Sequence, residues 1–152
     1  MIKNLKKTPK YWLTLKDCEI IFNLFIDQIQ FDEPVPPFNT RFVGKLDGII
    51  ESVRQTYKKK NLNNTVLDAA AAYFNQLVRG HAFRNGNKRM AVLFVHIFLL
   101  RHEIDYKLSY KGMYNFAMLL SRVAENGVKA DETKNICRKV IADFTKDRKL
   151  VI

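Results

Sequence analysis

Residues 77–92 read Leu77-Val78-Arg79-Gly80-His81-Ala82-Phe83-Arg84-Asn85-Gly86-Asn87-Lys88-Arg89-Met90-Ala91-Val92. An apolar stripe stops at Gly80, a polar turn follows, and apolar residues resume at Met90 on nearly every face. Upstream, Leu67, Ala70, Ala71, Phe74, Leu77 and Val78 recur on one face of a helix. Thr65 and Asp68 stand at capping-box spacing and open that helix, and Gly80 is expected to close it as a C′ stop. A helix that is apolar all round, as residues 90–100 would be, belongs at the centre of a bundle. These two helices imply a compact, mostly α domain with a polar turn lodged between core elements.

The rest of the chain extends the pattern. Thr14 and Asp17 also have capping-box spacing, and Leu15, Cys18, Ile21, Phe22 and Phe25 predict a first helix to about Gln28. Pro34, Pro36 and Pro37 forbid continuous helix through residues 31–40 and predict a long connection or short hairpin. Leu46, Ile49, Ile50 and Val53 predict a second helix from about Lys45 to near Tyr57, with Lys58, Lys59 and Lys60 as a solvated C-terminal end. Ser109 is expected to cap a fifth helix bearing Met113, Phe116, Leu120 and Val123. Asp131 is expected to start a sixth bearing Ile136, Val140, Ile141 and Phe144. Trp12 reads as a core anchor for the N-terminal arm.

The chain has 152 residues, 47% hydrophobic and 27% charged, an ordinary globular balance that suits one domain. Its two cysteines, Cys18 and Cys137, match no metal or redox spacing and read as small buried residues of a reduced, cytoplasmic protein. The basic stretch Met1 to Lys10 lacks the apolar region of a secretory signal, and Met90 to Leu100 is too short to span a bilayer, so no membrane association is expected. The net charge of +11 suits nucleic acid, a nucleotide, or an acidic protein partner, and does not choose among them.

The turn itself has chemical content. Backbone N–H groups at a helix start lack intrahelical acceptors and lie at the positive end of its dipole, so they suit an anion. Gly86 would let a phosphate approach the backbone, while Lys88 and Arg89 add charge. An imidazole such as that of His81 is suited to moving a proton near neutral pH. Phe83 would anchor the turn in the core. On composition and spacing alone, a phosphate site beside a general base and an ordinary polar interhelical loop fit equally. His96 and His102 fall on different helix faces, against a metal pair. Asp47 and Glu51 share a face in the manner of surface residues.

His81 to Arg89 resembles the motif of the Fic/Doc family, H-x-F-x-[DE]-[GA]-N-[GK]-R. His81, Phe83, Gly86, Asn87, Lys88 and Arg89 match it, Lys88 being the residue seen in Doc-like, death-on-curing type toxins. Gly44 to Arg54 and Thr65 to Val78 are similar to the helices preceding the motif in those proteins. The resemblance implies a single Fic/Doc-type helical bundle over residues 13–152, after an N-terminal arm of residues 1–12. It further implies a flap, either a short hairpin or an extended loop, over about Val35 to Val43. In chemistry it implies an ATP-dependent transferase acting on a hydroxyl of a cytoplasmic target protein, a translation factor being one candidate. His81 would be the base, Gly86, Asn87, Lys88 and Arg89 the phosphate site, and position 85 the magnesium ligand.

Three departures qualify what the resemblance implies. Asn85 replaces the usual acidic residue and offers magnesium no charge. Val92 replaces the second Arg of AMP-transferring members, which with Lys88 favours phosphate transfer, as in Doc-like toxins, over AMP transfer. Ser121-Arg122-Val123-Ala124-Glu125-Asn126 fits the family's autoinhibitory pattern, but its Glu would lack that second Arg, so restraint by a separate antitoxin is expected instead. Outside this enzyme reading stand a catalytically weak interaction domain and a basic nucleic-acid-binding module. No helix-turn-helix or zinc-finger signature supports specific nucleic-acid recognition.

Overall fold

Thr65 and Asp68 open the helix around which the others assemble: the Thr65 hydroxyl accepts the Asp68 N–H at 3.0 Å. The computed structural model of the chain describes residues 1–29, 33–57 and 60–149. Among them run α1 (Leu15–Phe25), α2 (Lys45–Arg54), α3 (Val66–Arg79), α4 (Asn87–Arg101), α5 (Tyr110–Glu125) and α6 (Ala130–Asp143). Two short antiparallel ladders accompany them. One pairs β1 (Thr56–Tyr57) with β2 (Lys60–Asn61), and the other β3 (Ile104–Tyr106) with β4 (Thr145–Asp147). The architecture is the mostly α bundle that the helical periodicity implies. No described helix is long and apolar enough to cross a membrane.

Small side chains make the packing possible. Ala69, Ala70, Ala71 and Ala72 are buried on α3, so neighbouring helices approach its backbone closely, and α3 packs chiefly on α4 and α6. Helix α4 is buried from Arg89 through Val95 and again at Phe98 and Leu99. The sequence called for such a central position, because an all-apolar helix has no face to give to water. The Tyr106 hydroxyl donates to the Val92 carbonyl at 2.8 Å, satisfying a polar group deep in the core. Cys18 and Cys137 are free and buried, and burial pushes both thiols up to about 12, which keeps them unreactive.

The capping signals are realised as hydrogen bonds. Thr14 and Asp17 form the reciprocal capping box of α1, and the Ser109 hydroxyl accepts the Gly112 N–H at 3.1 Å. Helix α1 gives way to a 3-10 turn over Ile26–Gln28, and α6 begins one residue before Asp131.

Three expectations are corrected. Helix α2 ends at Arg54, not near Tyr57, because Gln55 turns extended and accepts the Leu62 N–H at 3.0 Å. Thr56 and Tyr57, residue types that favour pleated backbone, then pair with Lys60 and Asn61; Lys58 and Lys59 lie outside the described residues. Gly80 is not left-handed: its φ is −82°. A Cβ there would lie 2.6 Å from the Gln76 carbonyl and 2.8 Å from Cδ1 of Ile49, so glycine is needed for the close approach of α2. Trp12 is only half-buried, and its neighbour Leu13, 1% exposed, is the residue that enters the core.

The two partly buried histidines serve different joints. The His96 ring lies 2.7 Å from an Asp105 carboxylate oxygen and 2.5 Å from the Tyr110 hydroxyl, and stacks on Tyr106 with ring centres 4.6 Å apart. His102 holds the N-terminal arm: Nδ1 lies 2.8 Å from the Phe98 carbonyl, and Nε2 accepts the Lys10 and Tyr11 N–H groups at 3.0 and 3.3 Å. This arrangement requires neutral His102, and burial lowers its pKa below the ordinary histidine value. A histidine held neutral stabilises the fold fully above its unfolded pKa, and that contribution is lost as pH falls below it. Thermal melts should therefore show stability falling from about pH 6.5 downward. His96, whose pKa burial also lowers, acts in the same direction, so His102→Gln should flatten the dependence only in part. A variant with an unchanged pH profile would remove His102 from this account.

Candidate functional site

The turn between α3 and α4 is built by side chains that bond to its own backbone. Asn87 closes it: Oδ1 accepts the Phe83 N–H and Nδ2 donates to the Phe83 carbonyl, both at 2.9 Å. Phe83 is 3% exposed and lies among Phe22, Phe38 and Phe94, with ring centres 6.0–6.4 Å away. Burying such a ring is worth about 1.5–3 kcal/mol, enough to pin the turn to the core. Gly86 caps α4 with φ 86°, a conformation that costs glycine nothing. The first intrahelical bond runs from the Met90 N–H to the Gly86 carbonyl at 2.9 Å, so the N–H groups of the first turn point past the helix end.

His81 has φ 48°. A left-handed imidazole-bearing residue is uncommon, and such backbone persists only where its surroundings hold it. The constraint on each side is visible. Gly80 is pressed against Ile49, and the buried Ala82 accepts the Phe42 N–H through its carbonyl at 2.9 Å. The exposed His81 side chain lines a cleft of about 160 Å3 with Val78, Arg79, Ser121, Ala124 and Glu125. The Ser121-to-Asn126 match thus stands beside His81, on the last turn of α5, with Gly127 (φ 92°) just beyond.

A second, smaller cleft of about 30 Å3 gathers Asn85, Gly86, Asn87, Lys88 and Arg89 with Tyr114 of α5. The structure therefore brings five sequence-predicted residues together and sets His81 in the neighbouring cleft, with Phe83 in the core beneath. Sequence reading missed Tyr114, which is 7% exposed, because nothing local to it points at a turn 25 residues away. It also missed what covers the cleft. Arg89 is 2% exposed and its guanidinium donates to the Glu33 backbone carbonyl. A Cβ on Gly86 would lie 2.9 and 3.0 Å from the two methyl groups of Val35. Glycine at 86 thus meets two demands, a left-handed backbone and a flap resting on it.

The flap is an extended loop with one 3-10 turn, Phe38–Thr40. It is tied to the motif by the Phe42–Ala82 bond and by Arg84, whose Nε donates to the Thr40 carbonyl at 3.0 Å. The Arg84 guanidinium also covers the Phe42 ring at 4.7 Å, while Val43 is fully exposed.

For a metal, the turn offers little. The Asn85 amide oxygen accepts the Gly86 N–H at 2.8 Å, is uncharged, and so is a poor ligand for a hard dication. Among the described residues, no group of three or more His, Cys, Asp or Glu side chains could hold a metal ion. The chain's own donors therefore do not fit a resident magnesium. Val92 is 0% exposed, an apolar side chain on the core-packed part of α4.

Residues 15–99 match the sequence model of the Fic/DOC family. No curated protein and no solved structure matches the chain.

Proposed function

The chain belongs to the Fic/DOC family, whose members transfer nucleotide-derived groups to proteins, and from that premise we propose that it phosphorylates a hydroxyl side chain of a cytoplasmic protein with ATP. The observation that carries the reading is one turn with His81 exposed in a cleft at its start and an anion-suited helix N-terminus, Lys88 and Arg89 at its end. Buried Val92 supports phosphate rather than AMP as the transferred group, since the second cation of AMP-transferring members has no counterpart there. Restraint by a separate antitoxin belongs to the same proposal.

In this mechanism the His81 imidazole accepts the proton of the target hydroxyl. The hydroxyl oxygen attacks the γ-phosphorus, the bond from that phosphorus to the β,γ-bridging oxygen breaks, and ADP leaves. The first-turn N–H groups and the cations of Lys88 and Arg89 stabilise the phosphate charge. Arg89 first has to exchange the Glu33 carbonyl for a phosphate oxygen. A cleft of about 30 Å3 has room for about one water molecule, so the flap lifts as the nucleotide enters. Magnesium would arrive as the counter-ion of the nucleotide, and no step above runs through it.

Incubation with ATP labelled at the γ or the α position, in lysate, tests the reading. Protein-bound label from γ alone is the expected result; label from α instead would establish AMP transfer, the reading that Gly86, as against Ala, favours. A second experiment addresses position 85. Asn85→Asp restores a charged oxygen and should raise the transfer rate at limiting magnesium by about tenfold. An unchanged magnesium dependence would show that position 85 does not meet the ion.

A further inference from the structure

At the end of α4 remote from His81, the N-terminal arm forms a trough that the transferase reading leaves unused. The arm is held by its backbone: Leu5 is fully buried, the Lys7 carbonyl accepts the Val66 N–H at 2.8 Å, and His102 accepts the N–H groups of Lys10 and Tyr11. With the main chain pinned, the side chains of Lys7, Lys10, Tyr11 and Trp12 line clefts. The Tyr11 ring lies against that of His102 with centres 5.5 Å apart, and Trp12 packs with one side on the core. One cleft, of about 500 Å3, lies among Lys10, Tyr11, Trp12, Asp17, Arg54 and Arg101. Another, of about 380 Å3, shares Lys10, Tyr11 and Arg101 with it and extends to Lys7 and Asn4. Together they form one trough, larger than either cleft at the His81 turn.

Its charge is set by the same construction. Lys3, Lys6, Lys7 and Lys10 are exposed along the arm. Asn4 bonds to Asp147 at 3.1 Å and the Arg148 N–H to the Glu103 carbonyl at 2.8 Å, which brings β4 and its exposed Lys146 alongside. Asp17 pairs with Arg101 at 3.1 and 3.3 Å and Asp105 with Arg148 at 2.8 Å, so these charges cancel, and exposed Glu103 on the smaller cleft is outnumbered by the arm lysines. Tyr11 is 53% exposed, and Trp12 forms a wall of the larger cleft.

We propose that this trough binds single-stranded nucleic acid without sequence preference, phosphates running along the arm lysines and bases stacking on Tyr11 and Trp12. A row of cations would serve any polyanion, and the aromatic rings decide between them. A ring face carries negative quadrupole charge, so it disfavours the carboxylates of an acidic peptide and accepts the flat face of a base. Rings offered for stacking suit a strand that can splay its bases, since a duplex keeps its base faces stacked on one another.

Trp12 is the sole tryptophan, so the chain carries its own reporter. The full-length protein should be titrated with labelled RNA and DNA oligonucleotides of about 12 nucleotides, reading anisotropy and tryptophan emission together. We expect binding that quenches Trp12 and weakens as salt rises. Lys7→Glu with Lys10→Glu should lower affinity at least tenfold. Tyr11→Ala should lower it several-fold without changing the salt slope. Arg122→Glu with Lys129→Glu, the same charge change at exposed positions elsewhere, should lower it far less. The proposal is overturned by absence of binding at low salt, by equal losses in the two double variants, or by saturation without a change in Trp12 emission. Displacement of the oligonucleotide by an equal concentration of a glutamate-rich peptide would also overturn it, in favour of an acidic protein partner. Matching melting curves for the variants keep folding out of the comparison.

Discussion

His81→Asn is expected to reduce label transfer from ATP by about two to four orders of magnitude, the range a positioned general base contributes. Asparagine is the informative replacement because His81 sits at φ 48°. Asparagine tolerates the left-handed region better than any other residue apart from glycine, so the base is removed while the backbone keeps its conformation. Alanine at the same place would combine loss of the base with strain, and a fall in activity could then come from a displaced turn. The comparison to make is transfer rate against melting temperature for His81→Asn and His81→Ala. Loss of transfer in both, with the melting temperature held in the asparagine variant, is the expected pattern. Full transfer by a well-folded asparagine variant would sink the assignment of His81 as base.

Asn87→Ala is expected to act through stability. It removes both bonds to Phe83 and leaves that residue's N–H and carbonyl without their partner. Unmade hydrogen bonds in partly buried backbone cost about 1–3 kcal/mol each, and the turn is partly open to water, so about 2–3 kcal/mol in total is expected. For a domain of this size that lowers the melting temperature by about 5–10 °C. Asn87→Asp should recover part of the loss, because its carboxylate still accepts the Phe83 N–H but has nothing to donate to the carbonyl. If the phosphate instead depended on the Asn87 amide, the alanine variant would keep its melting temperature and lose nucleotide affinity. Differential scanning fluorimetry with and without ATP separates the two.

Much of this was legible in the sequence where the information is local. The hydroxyls of Thr14, Thr65 and Ser109 mark helix starts because capping involves residues three apart, and the all-apolar face of α4 announces its place in the core. The motif residues were legible for the same reason, since Phe83, Gly86 and Asn87 shape a turn only a few residues long. Legibility fails where partners are distant. Glu33 and Val35 cover the cradle from more than fifty positions away, and their part is played by a backbone carbonyl and two methyl groups, which no motif encodes. Gly80 shows a subtler failure. A glycine after a helix invites a left-handed reading, but here contact with Ile49 demands it, and the left-handed role passes to His81. The β3–β4 ladder joins segments some forty residues apart, and neither strand is long enough to show an alternating pattern.

Helix α4 has one end at each of the two proposed sites, its first turn in the cleft of Asn85 to Arg89 and its last, through Arg101, at the arm trough. Fifteen residues span about 22 Å, and the rod between is packed in the core from Arg89 through Val95 and at Phe98 and Leu99. Coupling over such a distance needs an element with two states, and a rod without one transmits nothing. Substitutions at the two ends should therefore combine additively: Lys7→Glu and Asn87→Ala together should shift the melting temperature by the sum of their separate shifts. On the two proposals together, a polymer bound along the arm should leave transfer at the His81 turn unchanged, with the buried residues of α4 lying between them.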